Sequence, residues 1–165
     1  MYLFKIPAIN VIAVLHLWFV TLFCGLFLVK SIIELYPFIK KDDIAFHHAM
    51  ITLHYWVDNL LEFPILIGIV ATGISMLFLV DRITQLHIIK VSFIGLFLLV
   101  GSVCMINVNK RYKLLMRGGT NEELLQLSEK IIVSAGSAGI LLLIPGLVLG
   151  FRLAYNRVLT SIYGG

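Results

Sequence analysis

Four stretches of this sequence, residues 8–29, 63–80, 88–106 and 131–151, each run for about 20 residues almost without charge. Nothing else in the chain constrains the fold as much. A helix of that length crosses a hydrocarbon core of about 30 Å. Backbone N–H and C=O groups find no water there, so helix is required in spite of the many β-branched residues. Composition agrees, since 60% of the 165 residues are apolar and 13% are charged, where soluble domains carry about a quarter. The expectation is an all-α integral membrane protein, a single domain over 1–165 folded as an antiparallel four-helix bundle. The first stretch outruns the apolar core of a secretory signal, about 7 to 15 residues, and lacks a convincing cleavage site, so it is read as retained.

The helical pattern continues past the bilayer on one side. Residues 30–39 (KSIIELYPFI) mix charged with apolar positions, Asp42 and Asp43 offer an N-cap, and residues 47–62 run into the second span without a glycine, Pro64 lying just beyond. The third span flows into residues 107–116. The turn RGGTNEE then supplies Thr120 as an N-cap, with Glu122 and Glu123 at the positive end of the next helix. Helices of roughly 33 to 38 residues follow, about 50 to 57 Å long at 1.5 Å per residue. The connection around Asp81 and Arg82 is short. Eight of the 13 Lys and Arg residues flank the first and third connections, which puts the projections in the cytoplasm and both termini outside. A multi-pass protein of the bacterial inner membrane is expected. The net charge of +4 suits contact with anionic lipid headgroups. Because the basic residues are split between two faces, no nucleic-acid surface is expected. Cys24 and Cys104 fall inside spans and read as small buried apolar residues.

An ionisable side chain inside a membrane is costly, so each one needs a reason to be there. His16 lies nine residues past Pro7 and His87 five past Arg82, both counted from the outer side. At 1.5 Å per residue the imidazoles sit within roughly 6 Å of one depth. Antiparallel connectivity makes the first and third helices parallel, so the rings can lie above and below a flat macrocycle, the arrangement of a bis-His haem b. Gly73, Pro145, Gly146 and Gly150 fall at comparable depth and leave room for a ring. The plainer reading makes the histidines interhelical hydrogen-bond formers and the glycines packing contacts. Lys90 shares the His87 face; it either snorkels to the interface or pairs with a haem propionate or a substrate carboxylate. Arg82 is the second candidate for that pairing, beside the reading as an interfacial anchor.

A second cluster lies toward the cytoplasm. His47 and His54 are two turns apart, with His48 beside the first, and Asp58 and Glu62 continue the His54 stripe at steps of four. Such a face can bind zinc or iron, although the spacing matches no compact signature. The alternative is a polar extension of the helix. Two ligands from one helix cannot hold opposite faces of a haem, so a second haem here needs Met116 or another partner. Glu62 is read as a salt-bridge partner of Lys30 from the first helix, or else as a proton carrier or quinone-site acid.

Several of these elements together carry a family likeness: His16-Leu17-Trp18 and Gly25-Leu26-Phe27 in the first helix, Pro64 and Gly73 in the second, Leu86-His87 with Lys90 in the third, and Asn121-Glu122 before the fourth. Spread over most of the chain, the pattern resembles the superfamily of small integral membrane proteins that includes HemJ-type protoporphyrinogen oxidases and the membrane domain of CopD copper-resistance proteins. The resemblance implies a four-helix membrane fold. For the HemJ branch it also implies b-type haem, with porphyrinogen oxidation feeding electrons toward the respiratory chain. The leading expectation is therefore a membrane b-type cytochrome with haem iron between His16 and His87, exchanging electrons with a quinol or a respiratory partner, as a monomer or a homo-oligomer. One alternative is a HemJ-like protoporphyrinogen IX oxidase that uses Lys90 or Arg82 to hold substrate propionates. The other is a non-enzymatic metal-handling or assembly protein that uses His47, His48 and His54.

Overall fold

A computed structural model describes residues 5–39, 44–80 and 82–163, and every regular element among them is helical. Four long helices form: α1 (Lys5–Ile39), α2 (Ile44–Leu79), α3 (Gln85–Met116) and α4 (residues 121–163). Each contains a stretch long and apolar enough to cross a membrane. At 35 and 36 residues, α1 and α2 fall within the expected range, α3 at 32 is one short of it, and α4 runs on to residue 163, past the 151 at which the fourth apolar stretch ends. The Asp42–Asp43 cap lies outside the described residues, as does Asp81.

Local chemistry explains the helix ends. The Thr120 hydroxyl accepts from the Glu123 N–H at 3.4 Å, as expected of an N-cap, and the Glu123 carboxylate accepts from the Thr120 N–H at 3.0 Å, which completes a reciprocal box beyond the cap expected for α4. The helix α3 stops where Gly118 takes φ +74°, a left-handed conformation that glycine adopts without a Cβ penalty. The Gly118 and Gly119 N–H groups then close on the carbonyls of Leu115 and Leu114, each at 3.0 Å.

Two helices widen at matching places. The segments Asp58–Glu62 in α2 and Ala138–Leu143 in α4 are π-helical, and each lies just ahead of a proline, Pro64 or Pro145. A proline removes one i to i−4 bond and its ring crowds the carbonyl four residues back. A wide turn ahead of it relieves that crowding.

The helix α1 packs on α2, α2 on α3 and α3 on α4, and α4 closes back on α1. The pairs α1 with α3 and α2 with α4 thus lie on the diagonals. We call the end carrying connections 40–43 and 117–120 the lower end, and the end carrying the termini and residues 80–84 the upper end. At the lower end one heptad-like stripe from each helix faces inward: Phe23, Lys30 and Glu34; His47, Ile51, His54 and Asp58; Cys104, Val108 and Arg111; Leu124, Ser128 and Ile131. Steps of three and four keep these positions on one face. Tyr55 and Tyr112 stack beside the stripe, ring centroids 3.9 Å apart and 8° from parallel. Across the diagonal, Phe23 meets Phe97 edge to face at 5.5 Å. Above that contact the packing changes, for no residue of Phe63–Leu79 is buried. Large apolar side chains such as Trp18, Leu28, Phe78, Leu99 and Phe151 point outward, as suits helices whose solvent is lipid.

Candidate functional site

The lower half of the bundle is held around charge. Arg111, only 1% exposed, donates through Nη1 to Glu34 Oε2 at 2.7 Å and to Ser128 Oγ at 2.6 Å, and through Nη2 to Glu34 Oε1 at 2.5 Å. This forked pairing on a carboxylate is the strongest geometry an ion pair offers. Ser128 passes its own hydrogen to the Leu124 carbonyl at 3.1 Å. Glu34 also receives His54 Nδ1. The other ring nitrogen, Nε2, stands 3.3 Å from Asp58 Oδ1, and that oxygen takes Lys30 Nζ at 2.6 Å. Lys30 in turn bonds Glu62. One unbroken chain of polar contacts thus runs from Ser128 on α4 through all four helices to Glu62. Lys30, Glu34, His54, Asp58 and Arg111 are all buried, and such burial is tolerated only where charges compensate each other closely. His47 is also buried; its Nε2, like His54 Nε2 and Asp58 Oδ1, has no partner in hydrogen-bonding geometry among the described residues, so the His54–Asp58 link is an ion-pair contact rather than a hydrogen bond.

The π-helical turn helps build this cluster. Widening the turn over Asp58–Glu62 keeps both carboxylates on the side of α2 that Lys30 faces. The Lys30–Glu62 pair is the one expected from sequence; Asp58 adds a second carboxylate to the same ammonium.

The upper half carries a sparser constellation. His16 Nδ1 lies 2.8 Å from Thr72 Oγ1. That hydroxyl has one hydrogen and a backbone carbonyl, Gly68, at 2.6 Å to receive it; when it is spent there, the oxygen accepts from the ring. In that arrangement neutral His16 carries its proton on Nδ1 and a lone pair on Nε2. His87 is arranged the opposite way. It sits in the first turn of α3, where Nδ1 accepts from the Thr84 N–H at 3.2 Å and lies 2.7 Å from the Thr84 hydroxyl. A backbone N–H can only donate, so the His87 lone pair is on Nδ1 and the neutral ring carries its proton on Nε2.

Register decides what stands across from what. The Phe23–Phe97 contact fixes an offset of 74 residues between the parallel helices α1 and α3, which puts position 90 level with position 16. Lys90 is therefore opposite His16, and the two sense each other electrostatically. His87 stands one turn higher, by about 4.5 Å at 1.5 Å per residue. No hydrogen bond or ring contact joins His16 to His87 among the described residues. Gly150 makes room for Lys90, since a Cβ there would come within 3.2 Å of Nζ. Gly73 abuts the His16 ring, its Cβ position 3.5 Å from Cε1.

Of the residues singled out from sequence, His16, Lys90, Gly73 and Gly150 come together. Arg82 is exposed beyond the helices and His48 is half-buried on α2. Both nitrogens of His54 face carboxylates. Among the described residues no group of three or more His, Cys, Asp and Glu is arranged to hold a metal ion. Cys104 is buried and Cys24 half-buried, both as free thiols. Sequence reasoning did not single out Glu34, Arg111, Ser128, Thr72 or Thr84. The signal available for the first three was their place on the inward stripes. Comparison with family models, curated proteins and solved structures gives no match.

Proposed function

We propose that the chain is a membrane electron carrier that holds a haem b at the upper end of the bundle with His16 as an iron ligand. The observation that carries this reading is the His16 tautomer. With the Thr72 hydrogen spent on Gly68, the ring proton is on Nδ1 and Nε2 is left as the coordinating nitrogen, which is how an outer hydrogen bond orients a ligating imidazole. The donor set fits a haem on that side. On the other side His87 fits only after its ring releases the Thr84 cap, a cap of a kind worth about 1 kcal/mol. Haem, when bound, supplies a one-electron iron couple. Lys90, seated against Gly150, offers an ammonium to a propionate at the level of His16, with Arg82 as a second cation nearer the surface. The expected setting is the bacterial inner membrane, both termini outside, with a quinol or a respiratory protein as electron partner.

A reduced-minus-oxidised spectrum of protein purified from haem-supplied cells tests the reading. Wild type should show b-type bands, His16→Ala should lose them and His54→Ala should keep them. A haem-free wild type, or loss in His54→Ala with retention in His16→Ala, would overturn it. The Lys90 seat also favours a second reading, oxidation of a porphyrinogen whose propionates Lys90 would hold. Complementation of a host lacking that oxidation separates the two readings.

A further inference from the structure

We infer that the lower polar network is a proton-binding site, in which one exchangeable proton is shared between His54 and Glu62 by way of Asp58 and Lys30. The argument is independent of haem and starts from the two faces of one imidazole. His54 Nδ1 meets Glu34 and Nε2 meets Asp58 Oδ1 at 3.3 Å. A neutral imidazole has one N–H and one lone pair, so in the neutral form one nitrogen would aim its lone pair at a carboxylate oxygen. Both contacts are attractive only when the ring carries two protons or when one of the acids is itself protonated. Either of these puts in the cluster a proton beyond those of its permanent cations; the competing arrangement is a neutral ring whose Nδ1 lone pair accepts from Arg111, and the charge of the cluster decides between them.

Charge leads to the same place. Lys30 and Arg111 contribute two positive charges, while Glu34, Asp58 and Glu62 contribute three negative ones. Among the described residues the other groups near His54 and its partners are His47 on α2, an imidazole that burial and Arg111 keep toward its neutral form, Cys104 on α3 and Ser128 on α4. Arg111 Nη2 carries two hydrogens: one goes to Glu34 at 2.5 Å, and the other reaches His54 Nδ1 at 3.1 Å, a bond open only to a ring without a proton on Nδ1 and made against the Glu34 oxygen that the same nitrogen faces. One added proton makes the buried cluster neutral, which removes the cost of an uncompensated charge away from water.

The proton has a route. Asp58 Oδ1 touches both His54 Nε2 and Lys30 Nζ, and Lys30 bonds Glu62. Once the 3.3 Å His54–Asp58 contact closes into a hydrogen bond, His54 passes its Nε2 proton to Asp58, Lys30 hands one of its own protons to Glu62, and Lys30 recovers the proton held by Asp58. The products are a neutral imidazole, a neutral Glu62 acid and an ammonium again at Lys30. Glu62 is the outlet, because its side chain is 17% exposed where that of Asp58 is 4%.

The test is a nitrogen NMR titration of the full chain with isotope-labelled histidine, in lipid nanodiscs, with the His54 signal assigned by His54→Gln. In wild type near neutral pH, His54 should show the doubly protonated pattern. In Glu62→Gln, where one negative charge is gone, His54 should lose its extra proton at a pH lower by about one unit or more, a tenfold fall in proton affinity. Glu62→Asp, which keeps the charge, should titrate like wild type. A neutral His54 in wild type together with an ionised Glu62, read from its carboxyl carbon in a glutamate-labelled sample, overturns the proposal even if no variant folds. A doubly protonated His54 whose titration ignores Glu62→Gln also overturns it, by showing a fixed ion pair in place of a shared proton. Haem content enters none of these readouts, so this site and the haem reading stand or fall separately.

Discussion

Arg111 is a full charge at 1% exposure, and it is tolerated because Glu34 accepts both arms of its fork while Ser128 accepts a third bond. Removing one member of such a pair strands the other, which costs about 3 to 5 kcal/mol. Arg111→Ala should therefore lose about that much stability in a denaturant titration of the detergent-solubilised protein, while the exposed Lys130→Ala should stay within about 0.5 kcal/mol of wild type. Equal losses in the two variants would mean that the fork carries no weight. His16 and His87 make the complementary point. The ring types and their depth were legible in the sequence, but which nitrogen holds the proton was not. That depends on Thr72, from another helix, and on whether Thr84 ends up as the residue before a helix.

Between helices the close approaches are set by small residues. A Cβ on Gly68 would lie 2.7 Å from the Phe19 ring, and one on Gly139 would lie 2.5 Å from that of Phe27, whereas Gly25 has nothing within 4 Å. Gly68→Ala should cost about 1 to 3 kcal/mol through overpacking, and Gly25→Ala should be neutral or slightly stabilising; thermal unfolding of both variants side by side checks the contrast. The four helices, the lengths of the first two, the Thr120 cap and the Lys30–Glu62 pair were all readable from the chain, because apolar runs, caps and i+4 stripes are local signals. Glu34, Arg111 and Ser128 escaped for a physical reason. Each is a polar residue on a stripe that also holds Phe23, Val108 or Ile131, and one helix alone does not say whether such a position meets water or a counter-charge. The two π-helical turns had a signal in Pro64 and Pro145, yet a proline equally permits a kink or a break.

Four crossings place both termini on one side of the membrane, whichever side that is. Single cysteines introduced near residue 119 and near residue 83 should label from opposite faces with a membrane-impermeant reagent, and a C-terminal reporter should share the side of residue 83. A terminus on the side of residue 119 would dismantle the arrangement. At this scale the widened turns also acquire a meaning that neither has alone. Asp58–Glu62 stands level with Lys30, and Ala138–Leu143 stands level with Phe27, so both interruptions fall at nearly one height and on diagonally opposed helices. Below that height charge and aromatic rings join the helices; above it α2 packs chiefly on α1. The molecule thus carries both widened turns in one layer, and that layer divides a charged, ring-clamped base from an upper half whose outward surface is apolar.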